Sequence, residues 1–232
     1  TKFPVPLNDA EEAMLYIKDN AEMYGFNPER IGTMGFSAGG HLTATLSTLG
    51  KEECVPAFSV LFYPVISMYD SITHLASRNN IIGGNASDSL KELLSCYQQV
   101  ASSTPPTFIT HGKKDRTVTI KNSQLYFNAL KNAGVSAVFH TESNGIHGYS
   151  GDVFSETTWM DDYQRFFESL FKTQITVDIK LHDINLTQLN MVMKKELNLD
   201  NSINISPRFN LLGRTIKCVP VPPGVYLNQN TQ

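Results

Sequence analysis

The stretch GFSAGGH, residues 35–41, constrains the fold of this chain more than any other feature. It places one serine, Ser37, two residues from a glycine on either side, in the pattern G-x-S-x-G. The apolar residues 31–34 before it predict a short strand, and AGGHLTATLSTL after it predicts a helix. A serine at such a turn takes a strained backbone conformation, and small neighbours leave room for it. Ser37 is therefore a candidate nucleophile, and the alternative is an ordinary tight turn.

Three further apolar segments, residues 58–67, 106–112 and 136–142, predict buried strands. An amphipathic helical pattern at residues 123–133 separates the last two. Strands that alternate with helices predict an α/β fold with a mostly parallel sheet. The polar residues 80–104 are predicted to pass over one edge of this sheet.

The character of the sequence changes near residue 173. An apolar helical stripe ends at Leu170, and TQITVDIKLHDINL then alternates in the manner of β-strands. The segment VPVPPG cannot lie inside a helix or a central strand. We therefore predict an α/β domain over residues 1–172 and a small β-rich extension over residues 173–232.

A nucleophilic serine needs a base, and the chain offers six histidines: His41, His74, His111, His140, His147 and His182. We favour His147, because its glycine-flanked loop NGIHGYSG follows the predicted strand 136–142. Loops at the carboxyl edge of a parallel sheet are where catalytic groups gather. The alternative is an ordinary solvated loop histidine.

The acid that orients such a base is expected after another strand. Asp115 in THGKKDRTV follows the predicted strand 106–112, although an aspartate that merely caps a turn would fit too. Asp152 and Glu142 are rivals, but neither follows a separate strand. The backbone N–H of Ala38 is the candidate oxyanion donor. The resulting chain order is nucleophile, acid, base.

Composition argues against several other functions. The net charge is −3, so no basic surface for nucleic acid is indicated. No apolar run approaches the roughly 18 residues that span a membrane. The three cysteines are widely spaced, and no histidine–carboxylate cluster has metal-ligand spacing. No phosphate-binding glycine loop is present, so neither a metal nor a cofactor is predicted.

Five motifs together resemble the bacterial esterase/lipase branch of the α/β-hydrolases, in particular its acetyl xylan esterases. They are KFPVPLNDA, NPERIGTMGFSAGGHL, STPPTFITHGKKDRTV, NSQLYFNALKNAGV and GIHGY, and the resemblance covers roughly residues 2–171. The resemblance implies a serine carboxylesterase that hydrolyses acyl esters of small molecules or glycans. Carried over by position, Ser37 is the nucleophile, Asp115 the acid, His147 the base and Ala38 an oxyanion donor.

In that family, several strands and an H-G-G-G-type loop precede the FPVPL stretch, and the loop supplies a second oxyanion donor. This sequence opens at Thr1-Lys2-Phe3, so we expect an N-terminally incomplete hydrolase. Two other functions remain open. One is a prolyl-oligopeptidase-like peptidase with the same three residues, and the other is a truncated, non-catalytic binding module.

The tail FNLLGRTIKCVPVPPGVYLNQN resembles the C-terminal tails of exported Bacteroidetes proteins. The matching residues are Leu211, Gly213, Arg214, Gly224, Val225 and Tyr226. The resemblance implies that the protein works outside the cytoplasm, although no signal peptide is visible. The alternative for this tail is a plain β-hairpin extension.

Overall fold

The computed structural model describes residues 2–148 and 158–171, together with the backbone of three short strands in the tail. The chain divides into two compact units, Thr1–Phe167 and Glu168–Gln232. The helices and strands up to residue 171 are α1 (Val5–Asp19), α2 (Ala21–Tyr24), β1 (Thr33–Phe36), α3 (Ala38–Leu49), β2 (Ser59–Phe62), α4 (Leu75–Ile81), α5 (Asp88–Leu93), β3 (Thr107–Gly112), α6 (Lys121–Asn132), β4 (Ala137–Glu142) and α7 (Thr158–Phe171).

The four strands form one parallel sheet in the order β1-β2-β3-β4. Thr33 pairs with Ser59 of β2, and Ser59 pairs with Thr107 of β3. Because the strands are parallel and follow one another in sequence, their carboxyl ends meet at the same edge of the sheet. The α/β class and the parallel sheet predicted from the sequence are confirmed.

Helices cover both faces of this sheet. One face packs against α3 and α6 in a core that includes Ala44, Leu61, Ile109, Tyr126 and Leu130. On the other face, Phe62 lies edge-on to Trp159 of α7 at 5.1 Å between ring centroids. Successive side chains of a strand point to opposite faces, so Leu61 and Phe62 face the two layers. The buried faces on both sides explain why the strand segments read as continuous apolar runs.

Strand β2 ends five residues earlier than the apolar run 58–67 suggested. The cause is Tyr63, which takes a positive φ of 35° and leaves the extended conformation. Its backbone N–H still donates to the Thr110 carbonyl at 2.8 Å, so Tyr63 remains anchored to β3. The chain after Tyr63 then turns across the carboxyl edge of the sheet.

Asn122, near the start of α6, fixes this crossing segment. Its Oδ1 accepts from the N–H groups of Ile66 and Ser67 at 2.9 and 3.0 Å. Its Nδ2 donates to the Ile72 and Thr119 carbonyls at 3.0 and 3.1 Å. The side chain is fully buried. It therefore supplies hydrogen bonds to four backbone groups that water does not reach.

Residues 80–104, which are predicted to pass over one edge of the sheet, contain α5 and the end of α4. The sequence of α4 has no clear apolar periodicity. Arg78 of α4 is buried and forms an ion pair with Asp70. The Asp70 side chain of this pair is largely exposed, so the contact anchors Arg78 at the surface of the domain.

The tail unit contains three strands, β5 (Ile175–Val177), β6 (Ile205–Phe209) and β7 (Ile216–Pro220). They form an antiparallel sheet in the order β5-β7-β6. The boundary near residue 173 stays a prediction. The six residues on which the export expectation rests lie outside the described residues.

Replacing Asn122 by alanine removes four hydrogen bonds and leaves the buried N–H groups of Ile66 and Ser67 without this acceptor. We expect the free energy of unfolding to fall by about 3 kcal/mol in urea titrations. Asn132→Ala, at the exposed end of the same helix, is the matched control and should change stability by less than about 0.5 kcal/mol. Equal losses in the two variants would contradict the role assigned to Asn122.

Candidate active site

Ser37 lies at the turn from β1 into α3 in a conformation that non-glycine residues rarely adopt. Its φ is 52° and its ψ is −116°. Two main-chain hydrogen bonds to the segment at the end of β2 hold it there. Its N–H donates to the Phe62 carbonyl at 2.9 Å, and its carbonyl accepts from the N–H of Val65 at 3.1 Å. The backbone is therefore fixed from the neighbouring strand and not by the turn alone.

The small residues around Ser37 do not all serve the same purpose. A Cβ at Gly35 would overlap the Gly39 carbonyl and Thr43 Oγ1, and one at Gly40 would lie 2.7 Å from the Pro64 Cβ. A Cβ at Gly39 would meet no described atom within 4 Å. The crowding expected at the flanking glycines therefore holds for Gly35 but not for Gly39.

Asp115 follows β3, and its side chain is completely buried. Its Oδ1 accepts from the N–H groups of Thr117 and Val118, both at 2.9 Å. The aspartate thus caps its own turn, as one of the two interpretations proposed. The same bonds leave Oδ2 pointing elsewhere, so capping and a second role are compatible.

His147 joins the other two residues. Its Nδ1 lies 2.7 Å from Asp115 Oδ2, and its Nε2 lies 3.0 Å from Ser37 Oγ. Because a carboxylate only accepts, Nδ1 carries the proton and Nε2 is free to accept from the serine hydroxyl. The Tyr63 ring packs against the imidazole at 4.8 Å between centroids. The three residues predicted from the sequence are brought together.

The loop that carries His147 is held against β3 by backbone packing. Gly112 and Gly145 approach so closely that a Cβ on Gly145 would lie 2.8 Å from the Gly112 Cα. The N–H of Lys114 also donates to the Gly145 carbonyl at 3.0 Å. Only glycine permits this approach. Gly112 at the end of β3 and Gly145 in the loop after β4 therefore bring His147 to Asp115.

The other histidines in the described residues have different partners. His41 is buried with Nε2 2.8 Å from the Leu94 carbonyl, and His74 contacts Ser77. His140 contacts Asp162 at 2.7 Å. Of the remaining candidates, Glu142 ends β4, 3.5 Å from the N–H of Asn144. Asp152 and His182 lie outside the described residues.

His111 is the residue that the sequence interpretation overlooked. It lies at the end of β3, and its Nε2 is 3.3 Å from Asp115 Oδ2, the oxygen that His147 also contacts. Burial lowers the pKa of its imidazole. The available signal was the spacing of four residues between His111 and Asp115 across a strand end.

Ala38 is the first residue of α3. The first N–H groups of a helix have no partner within the helix, and the helix dipole adds a favourable field for negative charge. The Ala38 N–H therefore suits an oxyanion that forms at Ser37.

A cavity of about 340 Å³ opens beside this helix terminus. Its apolar lining includes Phe3, Leu42 of α3, Met68, Ile81 of α4 and Leu94, which follows α5. A second depression on the His147 side is bordered by three cationic side chains, Lys113, Lys114 and Arg116. The apolar recess thus borders Ala38, and the polar rim borders His147.

Within the residues that the structure describes, no three His, Cys, Asp or Glu side chains are grouped to hold a metal ion. The described helices include none with the length and apolar character needed to cross a membrane.

The profile of the BD-FAE family matches residues 1–130, which is more than half of the chain. The chain belongs to the BD-FAE family. Its fold is that of the α/β-hydrolases, in their esterase branch, as the sequence resemblance implied.

Relatives of this BD-FAE protein include an acetylxylan esterase of Xylanibacter ruminicola, 35% identical over 170 residues. The alignment covers 72% of this chain and 34% of the relative, so the chain spans about a third of that protein. The acetyl ester-xyloside bifunctional hydrolase of Caldicellulosiruptor lactoaceticus is 34% identical with a TM-score of 0.68, over 73% of this chain and 67% of that one. The α/β hydrolase MGS-M1 from a deep-sea metagenome is 28% identical with a TM-score of 0.56, over 73% and 66%.

The glycine contacts give a direct test of the turn at Ser37. Gly35→Ala should lower the free energy of unfolding by about 3 kcal/mol, because the added methyl overlaps fixed backbone. Gly39→Ala is the matched control and should be neutral or stabilising by up to about 1 kcal/mol, since alanine favours the helix. Urea unfolding of both variants measures the difference, and a reversed order would contradict the packing at the turn.

Proposed function

We propose that this protein is a serine carboxylesterase that hydrolyses acyl esters, with acetyl groups on xylan or related glycans as its substrates. The observation that carries the proposal is the continuous contact from Asp115 Oδ2 through His147 to Ser37 Oγ, at 2.7 and 3.0 Å. A nucleophile, its base and an acid that orients the base are the groups that acyl transfer requires.

In the first half-reaction, Ser37 Oγ attacks the ester carbonyl carbon while His147 Nε2 takes the hydroxyl proton. The carbonyl π electrons move to oxygen, and the Ala38 N–H donates to the oxyanion that results. The buried Asp115 carboxylate stabilises the imidazolium. When the oxyanion collapses, the C–O bond to the alcohol breaks and His147 gives its proton to the leaving oxygen. An acyl group remains on Ser37.

In the second half-reaction, water takes the place of the alcohol. His147 Nε2 removes a proton from the water, whose oxygen attacks the acyl carbon. Collapse of the second oxyanion breaks the bond to Ser37 Oγ, which recovers its proton from His147. A carboxylic acid leaves, and the enzyme returns to its starting state.

The recess and the rim near Ser37 support an acyl ester of a polar alcohol. The apolar recess of about 340 Å³ lies beside Ala38 and Gly39 and has room for an acyl group, while the cationic rim suits a polar alcohol such as a sugar. Two of the relatives are named for acetylated xylan or xyloside substrates. On the tail resemblance alone, we further propose that the protein works outside the cytoplasm.

Hydrolysis of p-nitrophenyl acetate by the full chain tests the proposal. Ser37→Ala should lower kcat by about 10⁴-fold or more, because the nucleophile is lost while the fold is kept. The matched control is Ser102→Ala, an exposed serine that precedes β3 and so lies toward the opposite end of the sheet.

Release of acetate from acetylated xylo-oligosaccharides, beside cleavage of a proline-containing peptide, distinguishes the esterase from the peptidase. Folded protein without turnover of any of these substrates would contradict the esterase proposal and favour the binding module. Preference for the peptide would favour the peptidase.

A further inference from the structure

His111 is buried against three partners that occupy both ring nitrogens. Nδ1 lies 2.7 Å from Ser123 Oγ, and Nε2 lies 2.8 Å from the Val118 carbonyl. Nε2 also lies 3.3 Å from Asp115 Oδ2. The side chain has no exposed surface, and both ring nitrogens contact partners other than Ser37, so His111 is not a second base.

These partners fix the position of the imidazole proton. A carbonyl oxygen can only accept, so Nε2 must carry a proton. Burial lowers the pKa of His111 and so favours the neutral ring, in which Nδ1 has no proton. Ser123 therefore donates to Nδ1. The Nε2–H of a neutral ring is thus held between the Val118 carbonyl and Asp115 Oδ2.

We propose that His111 is a positioning residue for Asp115, holding a neutral N–H donor beside the oxygen that His147 contacts. The proposal rests on the function proposed above for Ser37, Asp115 and His147. The positive end of the N–H dipole moderates the negative charge that Asp115 presents to His147. Because the ring is neutral, it does so without pairing with the carboxylate as a cation would.

Other titratable groups face this cluster from the neighbouring elements. Tyr63 packs on His147 from the end of β2, and Glu142 ends the neighbouring strand β4. Lys113, Lys114 and Arg116 border the open side of the site. All of them are unchanged in the variants below, so a difference between variants reports His111.

Removal of the His111 N–H should strengthen the pull of Asp115 on the His147 imidazolium. The acidic limb of the kcat/KM profile should then move to higher pH. Three variants of the full chain isolate this effect: His111→Phe removes the donor, His111→Gln retains an amide N–H near the place of Nε2, and His140→Phe is the control. His140 is also a buried strand histidine with a carboxylate partner, Asp162, at 2.7 Å.

With p-nitrophenyl acetate, we expect the acidic limb of His111→Phe to lie about 0.5 pH unit above that of the wild type. His111→Gln and His140→Phe should stay within about 0.2 unit, even where their stability falls. An unmoved limb in His111→Phe, or an equal movement in His140→Phe, would overturn the proposal, because a purely structural role predicts either result.

Nitrogen-15 NMR of the wild-type imidazoles tests the same proposal without turnover or substitution. His111 should carry its proton on Nε2 at pH 7 and above. A proton on Nδ1 instead would overturn the proposal even if His111→Phe does not fold. Wild-type protein that lacks esterase activity but gives the expected spectrum would refute the proposed function and leave the assignment of His111 standing.

Discussion

Two main-chain hydrogen bonds hold Ser37 against the segment that leaves β2, and the geometry of the site depends on them. A positive φ at serine costs free energy, of the order of 1–3 kcal/mol. The Phe62 carbonyl and the Val65 N–H offset this cost by fixing both backbone groups of Ser37. Asn122 of α6 holds Ile66 and Ser67, the two residues that follow Val65, so α6 also supports the position of Ser37. The strained turn is therefore supported by the sheet and by a helix remote in sequence.

Asp115 is the second centre of organisation. Its buried carboxylate is contacted by two backbone N–H groups, by His147 and by His111. A buried carboxylate stays ionised only when such donors replace water. The two backbone N–H groups contact Oδ1 and hold the turn, whereas the two histidines contact Oδ2. A single residue thereby links the loop after β3 to the loop after β4.

Much of this arrangement can be predicted from the sequence, since parallel strands bring their carboxyl ends to one edge. The apolar runs place Ser37, Asp115 and His147 after three different strands, and that is enough to predict their proximity. Three features of the structure could not be predicted from the sequence. The early end of β2 depends on the φ of Tyr63, and the open space at Gly39 depends on neighbours that no local pattern reveals. The contact of His111 with Asp115 arises from side-chain packing around a turn, which periodicity does not encode.

The most direct test is covalent labelling by a fluorophosphonate. Peptide mass spectrometry identifies the labelled residue and shows whether labelling requires His147. A serine activated by His147 should react, and the adduct should lie on the peptide that contains Ser37. His147→Ala should abolish the adduct. His74→Ala is the control, because the His74 imidazole contacts Ser77, and this variant should label as the wild type does. Folded wild-type protein without an adduct, or an adduct on another residue, would contradict the claim that Asp115, His147 and Ser37 form one nucleophilic unit.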